Sequence, residues 1–215
     1  MERTEGDYDF DWLHRVCDRL REAEIAVMMC TPTATPPAWL TRKYPEVLAH
    51  SVDGRPYGHG GRRHACPISP KYRELSAGIV SRMAEEFAAD PAIVAWQIDN
   101  EFGCHLSQCY CPTCRRRWPE WLRERFGSLE ALNAAWGTEL WSQWYTDWEE
   151  IPAPVQAGAG HHPSLVHAYR LFMSDAYADQ CREQWRILHE AGAVNVTTDG
   201  MPNQYHRLDY AEMYR

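Results

Sequence analysis

Short, uninterrupted runs of apolar residues constrain the fold of this chain more than any other feature of its sequence. Residues 25–30 and 93–98 are apolar at nearly every position, and residues 193–198 form a third, weaker run. Such runs lack the alternation of a sheet with one solvated face and are typical of parallel sheets covered on both faces. A stretch with apolar residues at helical spacing precedes each run. This repeated order of helix and strand predicts an α/β fold.

Two parallel architectures fit this order, a doubly wound sheet and a (β/α)8 TIM barrel. No G-x-G-x-x-G phosphate loop follows any of the apolar runs, and its absence favours the barrel. A complete barrel needs eight strands and about 250 residues, and this sequence offers about four strands. We therefore predict one incomplete barrel domain over residues 1–215 that holds about strands 2 to 5.

Charge and hydropathy argue against two classes of partner. The formal net charge is -8 and the pI is about 5.7, whereas binding to a phosphate backbone needs a basic surface. The sequence has no apolar run long enough to cross a membrane, and its first residues do not form a signal peptide. We predict no nucleic-acid partner, no membrane partner and a cytoplasmic location.

The second apolar run is followed directly by Asp99, Asn100 and Glu101. In a barrel, catalytic side chains lie at the carboxyl ends of the strands. A partly buried carboxyl there can serve as the general acid of glycoside hydrolysis, which needs a second carboxylate about 5 Å away when configuration is retained. Arg62 could donate hydrogen bonds in the same cleft. The alternatives are that Glu101 only caps a helix or pairs with an arginine, and that Arg62 is simply solvated.

The spacing of three cysteines predicts a metal site. Cys109, Cys111 and Cys114 form a C-x-C-x-x-C turn that can direct three thiols at one ion. Tetrahedral zinc needs a fourth ligand, for which Cys66 and Cys104 are both candidates. A closed shell of four thiolates would be structural, because catalytic zinc keeps an open position. Buried cysteines without a metal are the alternative, and an iron–sulfur cluster fits the spacing less well.

Two segments are distinctive: residues 31–40 read Thr-Pro-Thr-Ala-Thr-Pro-Pro-Ala-Trp-Leu, and residues 96–103 read Trp-Gln-Ile-Asp-Asn-Glu-Phe-Gly. With further segments they resemble the glycoside hydrolase family 42 β-galactosidases over nearly the whole chain. The further segments are residues 62–64 with 66–67, the cysteine turn, residues 132–133 with 136–138, and residues 141–143.

The resemblance implies a (β/α)8 barrel whose fourth strand ends in the Asn-Glu pair. It also implies a retaining enzyme that removes terminal non-reducing β-D-galactose residues. Glu101 would protonate the leaving oxygen and later activate water. Asn100 would hydrogen-bond the 2-hydroxyl of the galactosyl ring, and Arg62 would hold sugar hydroxyls in the same subsite.

For the metal, the resemblance implies structural Zn2+ on Cys66, Cys109, Cys111 and Cys114, which leaves Cys104 aside. Full-length members are expected to be trimers. The nucleophile of the family is a glutamate on the seventh strand, which this sequence is not expected to reach, so the chain alone could be inactive. The alternatives are an arabinopyranosidase on the same scaffold and a zinc-stabilised carbohydrate-binding or interaction module without catalysis. We assign no site residue between positions 197 and 204.

Overall fold

The computed structural model describes residues 1–201 and 208–215, with Trp141 described by its backbone alone. Positions 202–204 of the stretch without an assigned site therefore lie outside the described residues. Two short antiparallel strands come first, β1 (Glu2–Thr4) and β2 (Asp7–Tyr8). The main sheet then has three parallel strands in the order β3-β4-β5. These are β3 (Val27–Cys30), β4 (Ile93–Gln97) and β5 (Val196–Thr197).

Helices connect these strands and cover one side of the sheet. None of the helices in the described ranges is long and apolar enough to span a membrane. The α-helices are α1 (Asp11–Glu22), α2 (Ala38–Lys43), α3 (Pro70–Phe87), α4 (Pro112–Phe126), α5 (Leu129–Trp136), α6 (Pro163–Glu190) and α7 (Tyr210–Met213). Short 3-10 turns lie at Pro45–Val47, Leu140–Ser142 and Trp148–Glu150.

The helix boundaries follow local sequence signals. Pro70 and Pro163 occupy first-turn positions of α3 and α6, where a missing N–H costs nothing. The hydroxyl of Ser128 accepts a hydrogen bond from the N–H of Ala131 at 3.2 Å and caps α5. Gly137 ends α5 in the left-handed conformation that glycine adopts readily.

The two faces of the main sheet differ in exposure. Met29 and Trp96 face the covering helices and are buried. Met28, Cys30 and Thr197 lie on the other face and are exposed. The prediction of a sheet covered on both faces is thus wrong for the described residues. In a closed barrel this inner face is filled by side chains from the other strands, and three strands cannot fill it. Cys30 is exposed for this reason.

The main core cluster lies on two sides of α6. Towards the sheet, α6 packs with α3 around fully buried side chains such as Met83 and Tyr177. On its other side α6 packs against α4, where Trp118 makes edge and tilted contacts with Tyr169 and Phe172 at ring-centroid distances of 5.0 and 5.5 Å. The long α6 therefore links the sheet to the helix that carries the end of the cysteine turn.

Candidate functional site

Glu101 lies at the carboxyl end of the sheet, where the sequence places it. Two hydrogen bonds join the ends of the neighbouring strands: the N–H of Ile98 donates to the carbonyl of Thr197 at 2.7 Å, and the hydroxyl of Thr198 donates to the carbonyl of Ile98 at 2.8 Å. The Glu101 side chain is 26% exposed. It is therefore partly buried and still open to a ligand.

The structure brings the three predicted substrate-site residues together on one carboxylate oxygen. A terminal guanidinium nitrogen of Arg62 lies 3.0 Å from Oε2 of Glu101, and Nδ2 of Asn100 lies 3.2 Å from the same atom. Both donors keep further N–H groups that could bind hydroxyls of a ligand. Nε2 of His105 lies 3.4 Å from the Arg62 guanidinium. The sequence assigned no role to His105.

The backbone at the site is locally strained. Asp99 and Glu101 have φ angles of 55° and 49°, in the left-handed region that non-glycine residues seldom adopt. The N–H of Glu101 donates to Oδ1 of Asp199 at 2.7 Å, and the carbonyl of Glu101 accepts from the N–H of Cys104 at 3.0 Å. Sequence reasoning missed Asp199. Its position directly after the third apolar run, at the same sheet end as Glu101, was the signal that could have revealed it.

A buried ion pair lies beneath these groups. Arg63 binds Oδ1 of Asp99 at 2.5 Å, and both side chains are almost fully buried. Asp99 also accepts hydrogen bonds from the Thr33 hydroxyl and from the N–H of Asn100. Burial raises the pKa of Asp99, and the charge of Arg63 opposes that rise. Of the two neighbouring arginines, then, Arg62 is partly exposed and contacts Glu101, whereas Arg63 is buried against Asp99.

The predicted metal ligands also converge. The sulfur atoms of Cys66, Cys109, Cys111 and Cys114 all lie within 4.8 Å of one another, and all four residues are buried. Individual Sγ–Sγ distances include 3.4 Å between Cys66 and Cys114 and 3.7 Å between Cys111 and Cys114. Cys66 is therefore the fourth member of the cluster. Cys104, the other candidate left open by spacing, is buried but lies outside it.

The donor set of this cluster suits a cation that prefers sulfur. Contact with Cys109 and Cys111, together with burial, raises the pKa of the Cys66 thiol well above its ordinary value. Four thiolates this close repel one another unless a cation compensates their charge. The backbone N–H of His50 donates to Sγ of Cys109 at 3.4 Å, the kind of bond that stabilises a thiolate. The four cysteines could therefore hold a metal ion.

The cysteine cluster brings together the two segments that carry the predicted substrate-site residues. Cys66 follows Arg62 by a few residues, and the cysteine turn follows Glu101 in the same loop. The segment of Cys66 is further anchored by its N–H, which donates to the carbonyl of Val47 at 2.8 Å. The cluster therefore lies where the loop of Arg62 and the loop of Glu101 meet.

Comparison with known proteins gives consistent matches along the chain. The model of glycoside hydrolase family 42, described as β-galactosidase, matches residues 1–215. β-Galactosidase YesZ of Bacillus subtilis is 39% identical over 200 residues, which are 93% of this chain and 30% of that protein. β-Galactosidase BgaA of a Thermus species is 42% identical over 210 residues, 97% of this chain and 33% of that protein. The chain thus spans about a third of the length of these relatives.

Solved structures give the same result. The β-galactosidase of the haloarchaeon Halorubrum lacusprofundi superposes with a TM-score of 0.93 at 38% identity, covering 99% of this chain and 32% of that one. The β-galactosidase of Marinomonas ef1 gives a TM-score of 0.92 at 34% identity, covering 99% and 32%. The catalytic domain of a Paenibacillus polymyxa β-amylase, at 14% identity and a TM-score of 0.62, shares the fold alone. The predicted α/β barrel class is confirmed for this stretch of chain.

Proposed function

Because the chain belongs to glycoside hydrolase family 42, the β-galactosidases, we propose that it carries the acid/base half of a retaining β-galactosidase. Its substrates would be terminal non-reducing β-D-galactosides. One observation carries the proposal: Glu101 stands at the carboxyl end of a barrel strand with Arg62 and Asn100 both on its Oε2. A carboxyl placed in this way can exchange a proton with a ligand while its neighbours hold the hydroxyls of the sugar.

The chemistry follows from two roles of one carboxyl group. In the first displacement the protonated Glu101 gives its proton to the glycosidic oxygen, while a carboxylate on the opposite face bonds to the anomeric carbon and the aglycone leaves. In the second, the Glu101 carboxylate takes a proton from water as the water oxygen displaces that carboxylate, which releases galactose with retained configuration. From the resemblance we expect the nucleophile on the seventh strand of the barrel, and no described residue is assigned that role.

Leaving-group dependence tests the role of Glu101. Glu101→Ala should lower kcat/KM for methyl β-galactoside by about 10²- to 10⁴-fold, because this leaving group needs a proton. For 2,4-dinitrophenyl β-galactoside, whose leaving group departs without one, kcat/KM should stay within about tenfold of the unchanged protein. Added azide should restore turnover of the dinitrophenyl substrate and yield β-galactosyl azide, because azide needs no general base. The measurements use the protein as its host organism makes it.

Glu22→Ala, on the exposed surface of α1, provides the matched control and should behave like the unchanged protein. An equal loss on both substrates, with no azide product, would contradict the proposal. A galactosyl azide of inverted configuration would contradict retention.

We also propose that the cysteine cluster holds a structural Zn2+ ion. The support is the donor set itself: four buried sulfurs within 4.8 Å of one another match the closed tetrahedral shell of structural zinc. When bound, the ion would supply charge compensation and a crosslink rather than reactivity, because four thiolates leave no position for water. Cys66 and Cys109 would then hold the loop of Arg62 against the loop of Glu101.

A further inference from the structure

Asp199 reaches Glu101 from the neighbouring strand. Its Oδ1 accepts a hydrogen bond from the backbone N–H of Glu101 at 2.7 Å. That N–H belongs to a residue with a φ of 49°, outside any helix or strand. The distance lies at the short end of the range for hydrogen bonds between an N–H and an oxygen. The bond therefore stabilises a backbone conformation that is unfavourable for a residue with a Cβ atom.

Strand pairing and hydrogen bonds hold the strand end from which Asp199 extends. Parallel pairing sets Gln97 opposite Thr197, so the ends of β4 and β5 are level. The Thr198 hydroxyl donates to the carbonyl of Ile98, and the Tyr214 hydroxyl donates to the carbonyl of Thr198 at 3.1 Å. Asp199 thus extends from a fixed strand end, and it can transmit that fixed position to the loop beside it.

We propose that Asp199 is a positioning residue for proton transfer by Glu101. It keeps the left-handed backbone at Glu101, and this conformation directs the carboxyl towards the glycosidic oxygen. The inference rests on the acid/base role proposed for Glu101. It requires no contact between Asp199 and the sugar, and it concerns the hydrogen-bond acceptor more than the charge.

The test is again leaving-group dependence. Asp199→Ala removes the acceptor and should lower kcat/KM for methyl β-galactoside by about 10- to 100-fold, the effect of a misplacement of about 1 Å. For 2,4-dinitrophenyl β-galactoside the change should stay within about threefold, since that substrate needs no proton. Asp199→Asn keeps an oxygen acceptor and should recover most of the activity on the methyl glycoside. If Asp199 only supported folding, its loss would lower kcat/KM for both substrates in parallel. Asp199→Asn would then not recover activity on the methyl glycoside selectively.

Glu101→Ala and Asp18→Ala are measured in the same series. If Glu101→Ala turns over methyl β-galactoside as the unchanged protein does, the acid/base role itself is wrong. If Glu101→Ala shows the acid/base pattern while Asp199→Ala matches the unchanged protein on both substrates, only the positioning role is overturned. An Asn variant as poor as the Ala variant on the methyl glycoside also overturns it.

Asp18→Ala, on the exposed face of α1, controls for the loss of an aspartate at a distance and should change neither substrate. Should Asp199→Ala fail to fold, Asp199→Ser gives the same comparison, because its side chain is too short to reach the N–H of Glu101. Equal losses on both substrates in the Ser variant would again overturn the proposal.

Discussion

Asp99 and Arg63 form an ion pair whose side chains are 0% and 4% exposed. Both residues also have left-handed backbone, with φ angles of 55° and 59°. Charges in such a place are costly to bury, and their attraction offsets that cost only while both partners are present. Removing one partner leaves the charge of the other without compensation.

Asp99→Asn should accordingly lower the free energy of unfolding by about 3–5 kcal/mol, because it leaves the Arg63 guanidinium buried without a counter-charge. Urea unfolding followed by circular dichroism measures this value. Asp18→Asn, at an exposed position, is the control and should change stability by less than about 0.5 kcal/mol. A loss below about 1 kcal/mol for Asp99→Asn would mean that Arg63 reaches water or another acceptor.

At the scale of single residues, the sequence predicts those site residues that are indicated by their local order in the chain or by the family resemblance. Glu101 and Asn100 directly follow an apolar run, and Cys66 was one of two candidates for the fourth sulfur position; the structure brings these residues to their expected neighbours. The bond between Glu101 and Asp199 joins positions 98 residues apart. It depends on the register of β4 and β5, which no local pattern reveals.

At the scale of elements, the helices are predicted better than the strands. The apolar stripes in the sequence predict α1, α3 and α6, because each stripe repeats over several turns, and the structure confirms these helices. The third strand is shorter than its apolar run: residues 193–198 yield only Val196–Thr197. Pairing decides strand length, and β5 pairs with β4 at two positions only. Its other neighbour is not among the described strands.

Helix α4 shows the limit of proline as a signal. This helix begins at Pro112 and continues through Pro119. Pro112 suits a first helical position, while Pro119 removes one backbone hydrogen bond within the helix. Stacking of Trp118 on Trp121, with ring centroids 5.5 Å apart, and the contacts of Trp118 with α6 favour the helix despite that loss.

The cap of α5 can be tested alone. Ser128→Ala should lower the free energy of unfolding by about 1 kcal/mol, because the N–H of Ala131 loses the hydroxyl that accepts from it at 3.2 Å. Ser128→Asp keeps an acceptor for this N–H and should therefore keep the free energy of unfolding close to that of the unchanged protein. Urea unfolding of the three proteins provides the comparison. A similar loss in the Ala and Asp variants would show that packing, and not capping, determines the effect.

At the scale of the whole molecule, a metal ion held by the cysteine cluster would crosslink segments that the sheet does not join. An ion that binds the folded chain alone stabilises it by mass action, in proportion to the logarithm of its concentration over Kd. We expect about one zinc per chain, and a chelator should lower the unfolding temperature by several degrees or more. Metal analysis and thermal unfolding of the same sample measure both quantities.

Two cysteine variants separate metal binding from packing. Cys114→Ser removes a member of the cluster and should abolish stoichiometric zinc. Cys104→Ser replaces a buried thiol outside the cluster and should keep the metal. Loss of zinc from both variants, or its absence from the unchanged protein after refolding with zinc, would contradict the assignment.

The class of the whole fold was predictable because parallel apolar strands and intervening helices leave few architectures. The exposure of Met28 and Cys30 on the inner face was not, since an apolar run looks the same whether its second face meets helices or other strands. Side-chain burial on that face depends on other strands of the barrel that are distant in the sequence, so it cannot be inferred from a single apolar run.

The cysteine cluster also sets an order of events during synthesis. Cys66 and Cys114 are 48 residues apart, so a ribosome that adds about 5–20 residues per second makes the second thiol roughly 2–10 s after the first. For most of that interval Cys66 has none of the three partners that surround it in the folded chain, because Cys109 and Cys111 are made only shortly before Cys114. The nascent protein therefore passes through a period in which this thiol is open to oxidation or mispairing. A reducing environment with available metal limits both reactions.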